Sequence, residues 1–143
     1  MIHENIPIQM SGASKETHLT TYILDAYEEL PEDLTRPLIL ICPGGAYRFT
    51  ADREAEMVAL QFNSMGYHAA VLRYSCAPSV FPAALTEVAR SVQMIHEKAE
   101  AWHVDTENIF VMGFSAGGHL APATVFSGTG IFFLRLWDAA GRF

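Results

Sequence analysis

The chain has 143 residues, half of them hydrophobic, and a formal net charge of −7, which indicates one domain with enough apolar residues for a buried core. The acidic balance argues against nucleic acid or an anionic membrane surface as a partner. No stretch approaches the ~20 uncharged apolar residues of a membrane span. Residues 1–5 lack the basic and then apolar order of a signal peptide.

The two cysteines, Cys42 and Cys76, show neither a disulfide framework nor the spacing of metal ligands. Because no export signal is apparent, we expect both to be reduced thiols in a cytoplasmic protein. We expect no metal or cofactor. The chain contains no G-x-G-x-x-G and no Gly-Lys-Ser/Thr, so nucleotide binding is not expected.

The N-terminal region contains two segments with strand character, residues 6–10 and residues 17–24. The turn signal Ser11-Gly12-Ala13-Ser14 separates them, and the second segment is rich in Thr, Tyr and Ile. These features predict an antiparallel hairpin at the start of a sheet. Residues 31–37 then read as a polar connection.

A continuous apolar run, Leu38-Ile39-Leu40-Ile41, predicts a strand covered on both faces by helices. The helix predicted next covers residues 52–65, with Thr50 or Asp52 as its cap and Gly66 at its end. We expect a broad apolar stripe on this helix, formed by Met57, Val58, Leu60, Phe62 and Met65.

The same alternation continues beyond Gly66. Residues 67–74 contain the apolar run Ala69-Ala70-Val71-Leu72 and predict a buried strand. Pro82 suits the first turn of a helix reaching about Ala101, and the run Ile109–Met112 predicts a further short strand. Alternating strands and helices predict a parallel sheet with helices on both faces, an α/β fold. The expected inward face of the second helix consists of Leu85, Val88, Val92 and Ile95.

The motif Gly113-Phe114-Ser115-Ala116-Gly117 follows the last predicted strand and precedes a predicted helix. A turn this tight needs glycine on both sides, because a side chain there would collide with neighbouring backbone. The strain lifts the hydroxyl of Ser115 clear of the sheet edge. The N–H of Ala116, at the positive end of the helix, points to where an oxyanion would develop.

Five segments carry a family resemblance. They are Cys42-Pro-Gly-Gly-Ala-Tyr47, Arg53-Glu-Ala-Glu56, Gly66-Tyr-His68, Leu72-Arg-Tyr-Ser75 and Gly113-Phe-Ser-Ala-Gly-Gly-His-Leu-Ala121. Through them, residues 20–121 resemble α/β-hydrolases, in particular the esterase/lipase branch related to acetyl-xylan and other small-ester carboxylesterases.

The resemblance implies a serine carboxylesterase acting on a small-molecule ester through an acyl-serine, with acetylated sugars as one candidate substrate. It implies Ser115 as the nucleophile and Gly113 and Gly117 as the elbow glycines. The implied oxyanion N–H donors are Ala116 and either Gly44 or Gly45. Where the family often has a third glycine, this chain has Ala46.

The chain departs from the family after the serine. The family places its triad Asp or Glu, and then its His, downstream of the nucleophile. Here no histidine follows His119, and Asp138 is the only acid after Ser115. We find no triad Asp and no triad His, and interpret His119 as a packing or helix-face residue. In the same way, Cys42 is interpreted as a small buried residue, and Arg53, Glu54 and Glu56 as cap and ion-pair residues.

The last part of the chain is also atypical. Pro122 would kink the helix after Ser115, and the apolar run Ile131–Trp137 does not match the family. Our hypothesis is that residues 1–121 are the N-terminal part of an α/β-hydrolase domain and residues 122–143 a frameshifted or otherwise aberrant end.

Under this hypothesis the fold is incomplete and the Ile109 strand is an open edge, so we expect self-association unless Ile131–Trp137 covers that edge. The alternative function is a catalytically inactive remnant that lacks the triad Asp and His. We expect at most a trace of ester hydrolysis and little further loss on Ser115→Ala.

Overall fold

The structure is a computed structural model that describes residues 1–126. It contains a five-stranded sheet and four α-helices within these residues. The strands are β1 (Asn5–Pro7), β2 (His18–Tyr22), β3 (Arg36–Cys42), β4 (His68–Arg73) and β5 (Val104–Gly113); the helices are α1 (Glu56–Ser64), α2 (Ala83–Glu97), α3 (Ala99–Trp102) and α4 (Ala116–Phe126).

The sheet has the strand order β1-β2-β4-β3-β5. Strands β4, β3 and β5 run parallel, with Leu38 opposite both His68 and Ile109. The hairpin β1–β2 is antiparallel and joins the sheet through an antiparallel β2–β4 pairing. The predicted α/β architecture with an N-terminal hairpin is confirmed.

Helices cover both faces of the sheet, as the apolar strands predicted. In β3, Ile39 and Ile41 pack on the face covered by α1, and Leu38 and Leu40 pack on the face covered by α2, α3 and α4. All four side chains are buried, because successive side chains of a strand point to opposite faces. Because β3 and β5 run parallel, their carboxyl ends lie at the same edge of the sheet.

The helix predicted at residues 52–65 differs from the prediction. A short 3-10 helix, Asp52–Glu54, precedes α1, and neither Thr50 nor Asp52 caps it through its side chain. The expected apolar stripe is wrong for part of its length, because Met57 is 67% exposed. The helix instead packs through the small residues Ala55 and Ala59, which let it lie close to the sheet. Of the predicted stripe, Val58 and Phe62 pack against this core, whereas Met57, Leu60 and Met65 are exposed.

The long helix predicted from Pro82 to about Ala101 is divided at Lys98 into α2 and α3. Its predicted inward residues Val88, Val92 and Ile95 are buried, and Leu85 packs beside them. Strand β5 begins at buried Val104, earlier than predicted, but residues 106–108 are exposed and the alternating burial begins at Ile109. For α2 and β5 the sequence therefore located the buried part of the element better than its ends.

Helix α4 runs through the predicted boundary after Ala121 and continues beyond Pro122. The segment Ile131–Trp137 lies outside the described residues, so the interpretation of the tail and the self-association of the chain stay predictions. None of the helices within residues 1–126 combines the length and apolarity that a membrane span requires.

Candidate active site

Ser115 lies between the end of β5 and the first residue of α4. Its φ angle is 51°, in the left-handed region that is unfavourable for residues other than glycine. The side chain is exposed. A Cβ on Gly113 would lie 2.1 Å from the carbonyl oxygen of Gly117, and a Cβ on Gly117 would lie 1.9 Å from that of Cys42. Both flanking positions therefore require glycine, for the steric reason that the sequence suggested.

The backbone beside Ser115 offers a free donor at the start of α4. The carbonyl oxygen of Ser115 accepts the N–H of His119 at 2.9 Å, and that of Phe114 accepts the N–H of Gly117 at 2.8 Å. Within residues 1–126 the N–H of Ala116 has no acceptor. It lies at the N-terminal end of α4, where the helix dipole is positive. This donor can stabilise negative charge beside Ser115.

The glycine loop that follows β3, residues 43–47, lies against this turn. A Cβ on Gly44 would lie 3.2 Å from the Cβ of Ser115. The next three residues all have positive φ angles, 139° at Gly45, 55° at Ala46 and 56° at Tyr47. The glycine loop and the serine turn, which follow the paired strands β3 and β5, thus lie against each other. Their catalytic roles stay predictions.

Glu54 holds the glycine loop at its start. The N–H of Gly44 donates to Oε2 of Glu54 at 2.8 Å, and the Nε of Arg53 lies 3.5 Å from Oε1 of the same carboxylate. The sequence predicted an ion-pair role for Glu54 but not the contact with Gly44. The only indication in the sequence that Glu54 has a role at this site is that it belongs to one of the five matching segments.

Two tyrosines support the rest of the loop. The hydroxyl of buried Tyr74 donates to the carbonyl oxygen of Pro43 at 2.5 Å, and burial raises the pKa of Tyr74. The ring of Tyr47 packs edge-on against Tyr74, with centroids 6.0 Å apart. The carbonyl oxygen of Tyr47 accepts the N–H of Ala77 at 2.7 Å. The loop is therefore tied to the segment that follows β4.

His119 is exposed on α4 and hydrogen-bonds through Nδ1 to the hydroxyl of Tyr47 at 2.9 Å. Its ring is not hydrogen-bonded to Ser115 or to any carboxylate of residues 1–126. This position agrees with a helix-face residue. The described part of the chain therefore brings no histidine–carboxylate pair to Ser115.

Cys42 and His68 also belong to the five matching segments, but both side chains are buried. Cys42 is fully buried, and burial raises its pKa to about 12, so it is not a nucleophile at neutral pH. His68 is the first residue of β4, at the opposite edge of the sheet, and burial lowers its pKa. Its Nδ1 accepts the N–H of Leu24 at 3.1 Å. No group of three or more possible metal ligands occurs in the part of the chain that the structure describes.

A buried carboxylate, Glu87, organises the segment after β4. It accepts the N–H of Ser75 at 2.7 Å and also hydrogen-bonds to the Ser75 hydroxyl. That hydroxyl lies 2.9 Å from Oγ1 of Thr17. Burial raises the pKa of Glu87. Sequence reasoning missed this group, because a glutamate in an amphipathic helix pattern gives no sign that it points inward.

A pocket of about 360 Å³ lies beside Tyr47 and His119. Its wall includes the apolar side chains of Val80, Phe81 and Leu85. Such a volume is at the lower end of the range for small-molecule sites.

Parallel strands joined by helices, a strained serine turn at a strand end and a glycine loop against it define the α/β-hydrolase class. Solved structures agree. An α/β hydrolase, MGS-M1, from a Medee basin deep-sea metagenome library is 40% identical with a TM-score of 0.78, over 84% of this chain and 49% of its own. The carboxylesterase Cest-2923 of Lactobacillus plantarum WCFS1 is 32% identical with a TM-score of 0.76, over 84% and 44%. The acetyl ester-xyloside bifunctional hydrolase of Caldicellulosiruptor lactoaceticus is 34% identical with a TM-score of 0.72, over 82% and 44%.

The chain belongs to the BD-FAE family, whose model matches residues 24–130. This confirms the resemblance to esterases of the α/β-hydrolase superfamily. The match extends across residues 122–130, which the sequence hypothesis assigned to an atypical tail. The chain spans about half the length of the solved structures it resembles.

Proposed function

We propose that this chain carries the nucleophile and oxyanion donors of a carboxylic ester hydrolase, with Ser115 as the nucleophile. The observation that carries the proposal is the left-handed backbone of Ser115 between two glycines whose Cβ positions are filled by backbone atoms. Strain of this kind persists where the surrounding structure enforces it, and it clusters at active sites. The names of the similar carboxylesterase and acetyl ester hydrolase support the same class.

The reaction would proceed through an acyl-serine. The Ser115 oxygen attacks the ester carbonyl, the carbonyl oxygen becomes an oxyanion facing the N–H of Ala116, and the alcohol leaves with a proton. Water then adds to the acyl-serine and releases the acid. Both steps need a group that takes a proton from the attacking oxygen, and such help contributes about 10²–10⁴-fold in rate.

The described residues do not provide that base. His119 is the histidine closest in sequence to Ser115, and its Nδ1 is hydrogen-bonded to Tyr47. This observation favours a second reading, in which the chain keeps the fold of the site but turns over little or no ester. The oxyanion hole and substrate binding alone would still give roughly 10³-fold over water.

The proposed substrate is a small acyl ester, with an acetylated sugar as one candidate. The pocket of about 360 Å³ beside His119 supports a small ligand. The acetyl ester activity stated for the hydrolase of Caldicellulosiruptor lactoaceticus, 34% identical, supports the acetyl group.

Steady-state hydrolysis of p-nitrophenyl acetate by wild type, Ser115→Ala and His119→Ala tests both readings. We expect a trace rate in the wild type and little further loss in either variant. A brisk rate that Ser115→Ala abolishes would show that a base is supplied after all, and His119→Ala would show whether it is His119. A brisk rate that survives Ser115→Ala would contradict Ser115 as the nucleophile.

A further inference from the structure

We infer that Glu54 is a positioning residue that occupies the amide of Gly44 and leaves Gly45 as the oxyanion donor of the glycine loop. The family resemblance left Gly44 and Gly45 as alternatives. The assignment of Gly45 rests on the proposed function, whereas the role of Glu54 in holding Gly44 does not depend on it.

Both backbone groups of Gly44 are already used. Its N–H donates to Oε2 of Glu54 at 2.8 Å, and its carbonyl oxygen accepts the N–H of Ala51 at 2.8 Å. A Cβ on Gly44 would lie 2.8 Å from the carbonyl oxygen of Phe114. Gly44 is therefore enclosed between the carboxylate and the serine turn. Its amide could reach a substrate oxyanion only by leaving a charge-assisted hydrogen bond.

The amide of Gly45 is in the opposite situation. It donates to no acceptor in residues 1–126, although its carbonyl oxygen accepts the N–H of Arg48 at 2.9 Å. Its φ angle is 139°, and a Cβ on Gly45 would lie 2.0 Å from the carbonyl oxygen of Phe49, so the position is restricted to glycine. A donor fixed in place without a partner is what an oxyanion hole requires.

The side chain of Glu54 is mostly buried. It is 19% exposed and neighbours the guanidinium of Arg53. The 3-10 helix that carries it is tied to β4, because Arg73 contacts Oδ1 of Asp52 at 2.9 Å and donates to the carbonyl oxygen of Thr50 at 2.9 Å. The Glu54 carboxylate thus connects the first glycine of the loop to a segment that contacts Arg73 of β4.

The first test follows the two glycine amides by NMR in ¹⁵N-glycine-labelled protein. In the wild type we expect slow hydrogen exchange at Gly44 and fast exchange at Gly45. Glu54→Ala should speed exchange at Gly44 by roughly tenfold, since a charge-assisted hydrogen bond is lost. Glu54→Gln keeps an acceptor and should restore most of the protection. Glu56→Ala, which removes an exposed carboxylate two residues away, is the matched control and should change nothing.

The same spectra contain a signature that a general loss of stability would not produce. The amide proton of Gly44 should resonate downfield in the wild type, because it donates to a carboxylate, and should move upfield in Glu54→Gln, in which the acceptor is neutral. This measurement decides the contact even if Glu54→Ala fails to fold. A Gly44 amide that exchanges as fast as Gly45, or whose shift is the same in wild type and Glu54→Gln, would overturn the inference.

The second test measures the rate at which a fluorophosphonate labels Ser115. We expect about a tenfold slower rate in Glu54→Ala, partial rescue in Glu54→Gln and the wild-type rate in Glu56→Ala, since a displaced oxyanion donor costs rate at the reacting centre. Faster exchange at Gly44 with an unchanged labelling rate would make Glu54 a purely structural residue and overturn its positioning role. Absence of label on wild-type Ser115 would overturn the proposed nucleophile and, with it, the role of Gly45, while the exchange data would still decide the contact of Glu54.

Discussion

Two glycine-containing loops meet at the edge of the sheet, and they are shaped by different forces. The turn around Ser115 is fixed by backbone against backbone, since Cβ atoms at Gly113 and Gly117 would overlap carbonyl oxygens at 2.1 and 1.9 Å. The glycine loop after β3 has one such overlap, at Gly45, whose Cβ would lie 2.0 Å from the carbonyl oxygen of Phe49. It differs from the turn in being held also by side chains from elsewhere, including the carboxylate of Glu54 and the hydroxyl of Tyr74.

This difference explains why the shape of the serine turn can be predicted from the sequence more readily than that of the glycine loop. A backbone overlap is local and follows from the residue types of one short motif. A tether such as Tyr74 to Pro43 joins residues 31 positions apart, and nothing in the sequence states that distance. The two loops should therefore respond differently to substitution.

The largest effect is expected from Gly117→Ala in the serine turn. Its methyl group would lie 1.9 Å from the carbonyl oxygen of Cys42 and 2.7 Å from that of Pro43, so strands and helix must shift. We expect a loss of at least ~3 kcal/mol in the free energy of unfolding, at the upper end for overpacked sites. Urea unfolding followed by circular dichroism measures it.

Gly12→Ala is the matched control for this substitution. Gly12 has a φ angle of 80° but no atom within 4 Å of a Cβ, so only the backbone cost of about 1–2 kcal/mol remains. Gly117 itself has no positive φ angle, so a loss at Gly117 no larger than that at Gly12 would show that overlap with β3 does not set the requirement for glycine there.

A smaller loss is expected when a tether of the other loop is cut. Tyr74→Phe leaves the carbonyl oxygen of Pro43 without the hydroxyl that donates to it at 2.5 Å. We expect a loss of about 1–3 kcal/mol, the cost of a buried unsatisfied group. Tyr27→Phe alters a ring that is 57% exposed and should lie within ~0.5 kcal/mol of the wild type. If Tyr74→Phe left the free energy of unfolding unchanged, the loop would keep its shape without this hydrogen bond.

The third prediction concerns pH and the support of the segment after β4. Burial raises the pKa of Glu87 above its ordinary value of 4.5, so its stabilising contribution is complete at low pH and declines as the pH rises through the raised pKa. The stability of Glu87→Gln relative to wild type should therefore increase with pH over that window and level off above it. Urea midpoints from acidic to neutral pH test this prediction, and Glu100→Gln, at an exposed position, is the control. If the stability of Glu87→Gln relative to wild type fell as the pH rose, the predicted direction would be wrong.

The smallest effect is expected at the exposed contact between Tyr47 and His119. Because both groups reach solvent, their 2.9 Å hydrogen bond should contribute about 0.5–1 kcal/mol. A double-mutant cycle of Tyr47→Phe and His119→Ala isolates this coupling energy. If the losses in unfolding free energy of the two single variants added up to that of the double variant, the hydrogen bond would not stabilise the loop.

The fold and the site were predictable to different extents. Continuous apolar runs such as Leu38–Ile41 revealed the buried strands, because both sheet faces are covered. The inward face of α1 was misjudged, since Ala55 and Ala59 pack closely while the larger Met57 is exposed. The turn at Ser115 followed from its motif. The supports Glu54, Tyr74 and Glu87 did not, because their partners are fixed by the fold rather than by spacing along the chain.

The central claim is that Ser115 is the group that attacks an ester carbonyl. Intact-protein and peptide mass spectrometry after incubation with a fluorophosphonate tests it most directly, because a trapped adduct identifies the reacting atom without requiring turnover. We predict one adduct per chain, on Ser115, formed slowly for lack of a base and absent in Ser115→Ala. An adduct on another residue, or equal labelling of wild type and Ser115→Ala, would contradict the claim.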